Sequence, residues 1–192
     1  KTHLEMHQDN WSLKAKKMGY RSRAVFKLEE ILLKLHKNQI NKVLDLGSAP
    51  GGWSQFIVNK YPHSKIIAVD ILQMEPIDGV QFIKKNIEDI DSIQLINSQK
   101  GKFDLVISDI APNLTGISAV DNENIYELNK ITINLANIYL SEVNSAVVIK
   151  TFQNNNFKSL KKEMELFFKI VQTYKPAASK NKSAETYLYG AR

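Results

Sequence analysis

The sequence contains no cysteine. A disulfide framework and a thiolate metal site are both excluded. No run of 18 apolar residues occurs, so no segment reads as a membrane-spanning helix. His3, His7, His36 and His63 are scattered without metal-ligand spacing, and no metal is expected. The dinucleotide fingerprint G-x-G-x-x-G is missing. Arginine is scarce, with three residues against 23 lysines. That ratio, with frequent Asn and Ile, matches AT-rich coding, so Asn154-Asn155-Asn156 is given no chemical meaning. Lys1 stands where a Met would, so a trimmed N-terminus is expected. A soluble protein of a reducing compartment (cytoplasm, mitochondrion or nucleus) is the corresponding expectation.

What is present bounds the answer from the other side. The 192 residues, 43% of them apolar, suit one domain over 1–192 with a substantial core. The formal charge is +6, which favours a polyanionic partner. Its placement is more informative. Lys14, Lys16, Lys17, Arg21, Arg23 and Lys27 crowd the N-terminal stretch, and Lys175, Lys180 and Lys182 crowd a second one. Two basic flanks around a less basic body imply one basic face, with residues 1–40 forming basic helices.

Periodicity predicts helices over 9–18 and 22–36, the second capped by Ser22. Strands are predicted at 42–47, 65–70, 80–84, 103–109 and 146–152, with helices at 53–60, 88–98, 122–141 and 157–168 between and after them. The alternation means βαβ units and a mostly parallel sheet. IVQTYKP (170–176) and ETYLYGA (185–191) lack room for a crossover helix, so they should form a hairpin with one antiparallel strand.

The loop DLGSAPGGWSQF (45–56) follows the first strand. In such sheets ligands sit beyond the carboxyl ends of the strands. Its glycines admit a close backbone approach, and the following helix presents free N–H groups. Asp70 ends the next strand, 19 residues after Gly51, where an acidic residue holds ribose hydroxyls. Pro50 removes an N–H that a pyrophosphate would use. The loop therefore suits a nucleoside such as S-adenosylmethionine better than NAD, and a purely structural tight turn stays open.

Asp109 ends the fourth strand and faces the same rim. Lys150 sits in the apolar run AVVIKTF, an expensive place unless it is paired or reaches water at an edge. Lys27 interrupts the apolar stripe of the second helix, and Glu185 precedes TYLY. Taken singly, Lys27 and Glu185 read as surface residues. Together they suggest transfer of a methyl group to a ribose hydroxyl, which needs a base in reach. A lysine serves only when neutral. Burial and a second cation favour that form, and nearby carboxylates oppose it.

RSRAVFKLEEI (21–31), DLGSAPGGWSQF (45–56), AVDIL (68–72), SDIAPNLTG (108–116), VVIKTFQ (147–153) and the closing KPAASKNKSAETYLYGAR resemble the FtsJ/RrmJ family of RNA ribose 2′-O-methyltransferases. The match runs in order from about Asp9 to Arg192. It implies a Rossmann-like α/β fold, a seven-stranded, mostly parallel sheet with one antiparallel strand and helices on both faces. It implies S-adenosylmethionine as methyl donor and a tetrad of Lys27, Asp109, Lys150 and Glu185, with Lys150 as proton acceptor. Donor contacts carry over to Gly51, Trp53, Asp70 and Asp109, flanked by Gly47, Ser48, Ala49, Pro50 and Gly52 and by Ile71, Asn86 and Ile87. Asn86 stands where bacterial members carry an aspartate that meets the adenine amino group. Its amide oxygen accepts the same bond without the charge. QNNNF (153–157) is a second departure, and it bears on substrate contacts.

The opening RSRA-x-FKL-x-EI and the compact ending are most similar to the large-subunit rRNA branch. The implied substrate is a uridine in the A-loop of that rRNA, within a large ribosomal subunit or its precursor, and the enzyme is expected to be a monomer. Lys14, Lys16, Lys17, Arg21, Arg23, Lys180 and Lys182 are the expected RNA contacts. A tRNA anticodon-loop methyltransferase, an NAD-dependent dehydrogenase and an RNA-binding assembly protein with a vestigial site are the rivals.

Overall fold

The computed structural model describes residues 3–37, 39–177, 179 and 183–192, with side chains from residue 10 onward. The expected RNA contacts Lys180 and Lys182 lie outside the described residues. The elements are α1 (His3–Lys17), α2 (Val25–Lys34), β1 (Lys42–Leu46), α3 (Gly52–Lys60), β2 (Lys65–Asp70), β3 (Val80–Lys84), a 3-10 turn (Ile87–Ser92), α4 (Gln94–Asn97), β4 (Leu105–Ser108), α5 (Ser118–Tyr139), β5 (Ala146–Phe152), α6 (Phe157–Glu165), β6 (Ile170–Tyr174) and β7 (Glu185–Ala191).

β1, β2, β4 and β5 are short, nearly continuous apolar runs, as strands covered on both faces must be. The seven strands form one sheet in the order β3-β2-β1-β4-β5-β7-β6. β7 runs antiparallel to both β5 and β6, and the other pairings are parallel. The pleat sends alternate residues to opposite faces. Val43, Ile66, Leu105, Ile107, Val148 and Tyr187 pack with α2 and α3 on one face. Leu44, Ile67, Val106, Val147, Ile149 and Leu188 pack with α5 and α6 on the other. The chain changes direction across the sheet between β1 and β4, so their carboxyl ends open a crevice between diverging loops.

The seven expected strands and the closing hairpin are all present. Several bounds differ. α1 begins at His3 rather than at residue 9. The expected helix over 88–98 is a 3-10 turn followed by a single α-helical turn, because only Ile87, Ile90 and Ile96 are buried there. α5 starts at Ser118 and α6 stops at Glu165. Phe103 contributes one isolated bridge to Leu140, outside β4. Ser22 does not cap α2. Its Oγ accepts the Ala24 N–H one step earlier (3.1 Å), and the helix begins at Val25.

Candidate active site

Two openings meet at the switch between β1 and β4. The larger is a cleft of about 630 Å³ lined by Gly47, Ala49, Asp70, Ile71, Asn86, Ile87 and Asp109, among others. Ligand clefts commonly have this size. The smaller, about 50 Å³, is lined by Asp45, Gly47, Ser48, Ala49, Pro50, Gly52, Trp53 and Asp109, with Ser22 and Ala24. Gly47, Ala49 and Asp109 line both. One further wall of the cleft comes from α5, through Asn124, Glu127, Leu128 and Ile131. No motif marked these four. Their spacing, which puts them on one helical face, was the signal available.

The loop after β1 is built around its bare backbone. Gly47 has φ +74, and a Cβ there would lie 1.9 Å from Ile110 Cγ1. Any side chain would collide with the segment that follows β4. The Ala49–Pro50 bond is cis. Asp70 closes the loop from below. Its Oδ2 accepts the Ala49 N–H (2.8 Å) and its Oδ1 the Leu72 N–H (2.9 Å). Each oxygen keeps a further acceptor position toward the cleft. Asn86 Oδ1 accepts the Glu88 N–H (3.0 Å) and so caps the 3-10 turn. The turn leaves the Ile87 N–H without an intrahelical partner at the cleft wall.

Not every expected donor contact faces the cleft. Gly51 (φ +115) lines neither opening, because it turns its α-carbon toward Ile77, Met74 and Arg21. Trp53 is buried. It donates Nε1–H to Ala24 O (2.8 Å), meets the Tyr187 ring at 5.9 Å with the planes tilted by 42°, and reaches only the small opening.

The tetrad is assembled from four elements. α2 supplies Lys27, the end of β4 leads to Asp109, β5 carries Lys150, and β7 begins with Glu185. They form two ion pairs. Lys27 Nζ donates to Glu185 Oε1 at 2.5 Å, and Lys150 Nζ stands 3.5 Å from Asp109 Oδ1. A fifth residue, which the sequence did not single out, joins them. The Tyr187 hydroxyl donates to Asp109 Oδ1 (3.1 Å) and lies 3.4 Å from Glu185 Oε1. The register explains its place. Tyr187 pairs with Lys150 across β5 and β7, so both project to one face, and Glu185 is two residues along.

Electrostatics separates the two carboxylates. Burial pushes Asp109 up, and although Lys150 and Lys27 pull it back, it stays above its ordinary range. Burial also pushes Glu185 up, but the hydrogen bond and charge of Lys27, with Lys150 behind it, leave it below. Burial and the two carboxylates drive the Tyr187 phenol well above its usual range, so it remains a donor. Beneath the loop, Asp45 is fully buried and accepts a hydrogen bond from Ser54 Oγ (2.7 Å). Burial raises it to about 7, with Asp109 and Asp70 adding to the rise.

The basic residues divide. Lys16 and Lys17 are exposed on the last turn of α1. Lys14 is exposed as well and holds its ammonium over the Trp11 and Phe26 rings (5.4 and 4.7 Å). Arg23 is half-buried. Arg21 departs from the expectation of a phosphate contact. Its guanidinium is directed at the carbonyls of Pro50, Glu75 and Pro76.

Comparison with known proteins gives the chain's family. The model of the FtsJ-like methyltransferases matches residues 20–192. Ribosomal RNA large subunit methyltransferase E of Wigglesworthia glossinidia brevipalpis is 39% identical over 189 residues, covering 96% of this chain and 91% of the relative. The protein of that name from Dechloromonas aromatica is 37% identical, covering 95% and 90%. A ribosomal RNA methyltransferase structure from Plasmodium falciparum superposes with a TM-score of 0.76 at 28% identity, covering 90% of this chain and 98% of that one. On its match over residues 20–192 and its identity to these relatives, the chain belongs to the FtsJ-like methyltransferase family.

Proposed function

We propose that the protein is an S-adenosylmethionine-dependent RNA 2′-O-methyltransferase acting on a uridine in the A-loop of large-subunit rRNA. The observation that carries this reading is the pair of ion pairs joined by Tyr187 beside a nucleoside-sized cleft. The names of the most similar relatives support the choice of rRNA.

The cleft residues fit the donor. Asp70 keeps acceptor capacity for ribose hydroxyls. Ile71 and Ile87 supply apolar wall for a purine, and Asn86 offers its remaining amide positions. At the smaller opening, Ser48 Oγ is buried without a hydrogen-bond partner among the described residues. When bound, S-adenosylmethionine supplies a methyl group on a positively charged sulfur.

This chain's own residues do the rest. Lys150 in its neutral form accepts the proton of the ribose 2′-hydroxyl. Asp109 holds that amine at the cleft edge, where it lines both openings. Glu185 fixes Lys27, whose ammonium lowers the energy of negative charge developing on the ribose oxygen. Tyr187, a buried donor, gives its one proton to Asp109 and stands beside Glu185. Lys14, Lys16, Lys17 and Arg23 bind RNA phosphates.

The test is transfer of labelled methyl groups to unmethylated large ribosomal subunits, free rRNA and tRNA, with wild type and Lys150→Ala. Label at a ribose 2′ oxygen of large-subunit rRNA, reduced at least about 100-fold in the variant, is expected for a lost general base. Label only in tRNA would move the substrate to the anticodon loop. Donor binding without transfer to any RNA would favour the assembly-protein rival.

A further inference from the structure

We infer that Arg21 is a positioning residue for the donor loop, tying the basic N-terminal arm to the methyl-donor cleft, rather than an RNA phosphate ligand. The inference rests on the donor assignment proposed above. Arg21 lies in the connector between α1 and α2, a few residues past the exposed lysines of the last turn of α1. Its Nη1 donates to Pro50 O (3.1 Å) and Glu75 O (2.6 Å), and Nη2 donates to Pro76 O (2.8 Å). The rigid fork of a guanidinium can satisfy three carbonyls on two separate segments at once, and those donors are then not free for a phosphate.

The two segments it joins matter. Pro50 belongs to the loop whose Gly47 and Ala49 line the cleft. Glu75 and Pro76 belong to the stretch that leaves β2 just after Asp70, the residue that grips the same loop through Ala49. Asp70 therefore holds the loop from the sheet side and Arg21 from the outside. Gly51 lies in the seam between them. A Cβ there would come within 2.8 Å of Ile77 Cδ1, 3.1 Å of Met74 Sδ and 3.2 Å of Arg21 Nη1. The backbone around Arg21 is stitched to α3 as well. Its own N–H donates to Gln55 Oε1 (2.8 Å), and Gln55 Nε2 donates to Gly19 O (3.3 Å). The RNA-facing arm is thus seated on the loop that the donor must meet.

Two substitutions separate the roles. Arg21→Lys keeps a positive charge for a phosphate but loses the fork. Arg21→Ala loses both. The probes are S-adenosylhomocysteine, measured by calorimetry, and an rRNA fragment, measured by its salt-dependent affinity. Lys17→Ala is the comparison for a simple charge loss, and a thermal melt confirms that each variant is folded.

The expected result is a donor-site affinity about tenfold weaker in both Arg21 variants. The donor KM should rise while kcat is kept, and the slope of RNA affinity against salt should match wild type. Lys17→Ala should do the opposite, flattening that slope by roughly one with donor affinity unchanged. The inference is overturned if Arg21→Ala flattens the slope, Arg21→Lys restores it, and neither alters S-adenosylhomocysteine binding. A folded wild-type chain that fails to hold S-adenosylhomocysteine would instead bring down the donor assignment itself, and the inference with it.

Discussion

Asp45 is a buried carboxyl whose ionisation bears on stability. It is fully buried under the loop, and burial raises it to about 7 from 3.8. Ser54 opposes the rise, and Asp109 and Asp70 add to it. The folded protein therefore binds this proton more tightly than the unfolded chain does. The stability it contributes is full below the ordinary carboxylate value and is lost progressively as pH rises toward about 7. Across that window the loss is on the order of 4 kcal/mol. Asp45→Asn keeps an acceptor for Ser54 and removes the titration. Urea melts from pH 5 to pH 8 are expected to show wild type losing stability relative to the variant as pH rises. A difference that stays constant with pH would contradict the assignment. Neither Asp45 nor Tyr187 was legible beforehand. Asp45 read only as part of the first strand, and its hydrogen bond comes from a helix residue nine positions later. Tyr187 owes its role to a cross-strand register that single-residue chemistry does not reveal.

Among the elements, α5 does more than cover the sheet. Asn129, buried on that helix, donates Nδ2–H to Lys150 O (3.1 Å) and accepts from Thr151 Oγ1 (2.7 Å). Two turns earlier, Asn122 accepts from Asn154 and Asn156 through its side chain and carbonyl. The asparagine run that composition dismissed is thus the strap fastening the end of β5 to α5. Asn129→Ala leaves the Lys150 carbonyl and the Thr151 hydroxyl without these partners, at a cost of about 1–3 kcal/mol for each buried group. A lower melting temperature and slower methyl transfer at unchanged S-adenosylhomocysteine affinity are expected. Unchanged turnover would show that the strap does not position Lys150. The strands were readable because each is an apolar run bounded by turn residues. The start of α1 was not, because His3-Leu4-Glu5-Met6-His7-Gln8 has too few apolar positions to show a period. Residues 88–98 failed for the same reason, with their few buried isoleucines serving short turns.

For the molecule as a whole, the formal charge of +6 predicts RNA affinity that falls steeply with salt. Replacing Lys16 and Lys17 together by Ala is expected to reduce the logarithmic salt slope by roughly one to two, and to weaken different RNAs alike. A slope identical to wild type would remove α1 from the interface. Asp109 and Lys150 stood out singly in the sequence, the full tetrad came only with the family resemblance, and its pairing into two couples belongs to the folded chain. Lys27 meets Glu185 across 158 positions of sequence. A ribosome making this protein finishes Lys27, the donor loop and Asp70 long before it reaches Glu185 and Tyr187. Through most of synthesis the nascent chain carries the parts of a donor cleft without the parts that complete the transfer site. On the proposed mechanism, catalytic competence arrives with β7, and a translation product that stops before β7 is expected not to methylate RNA.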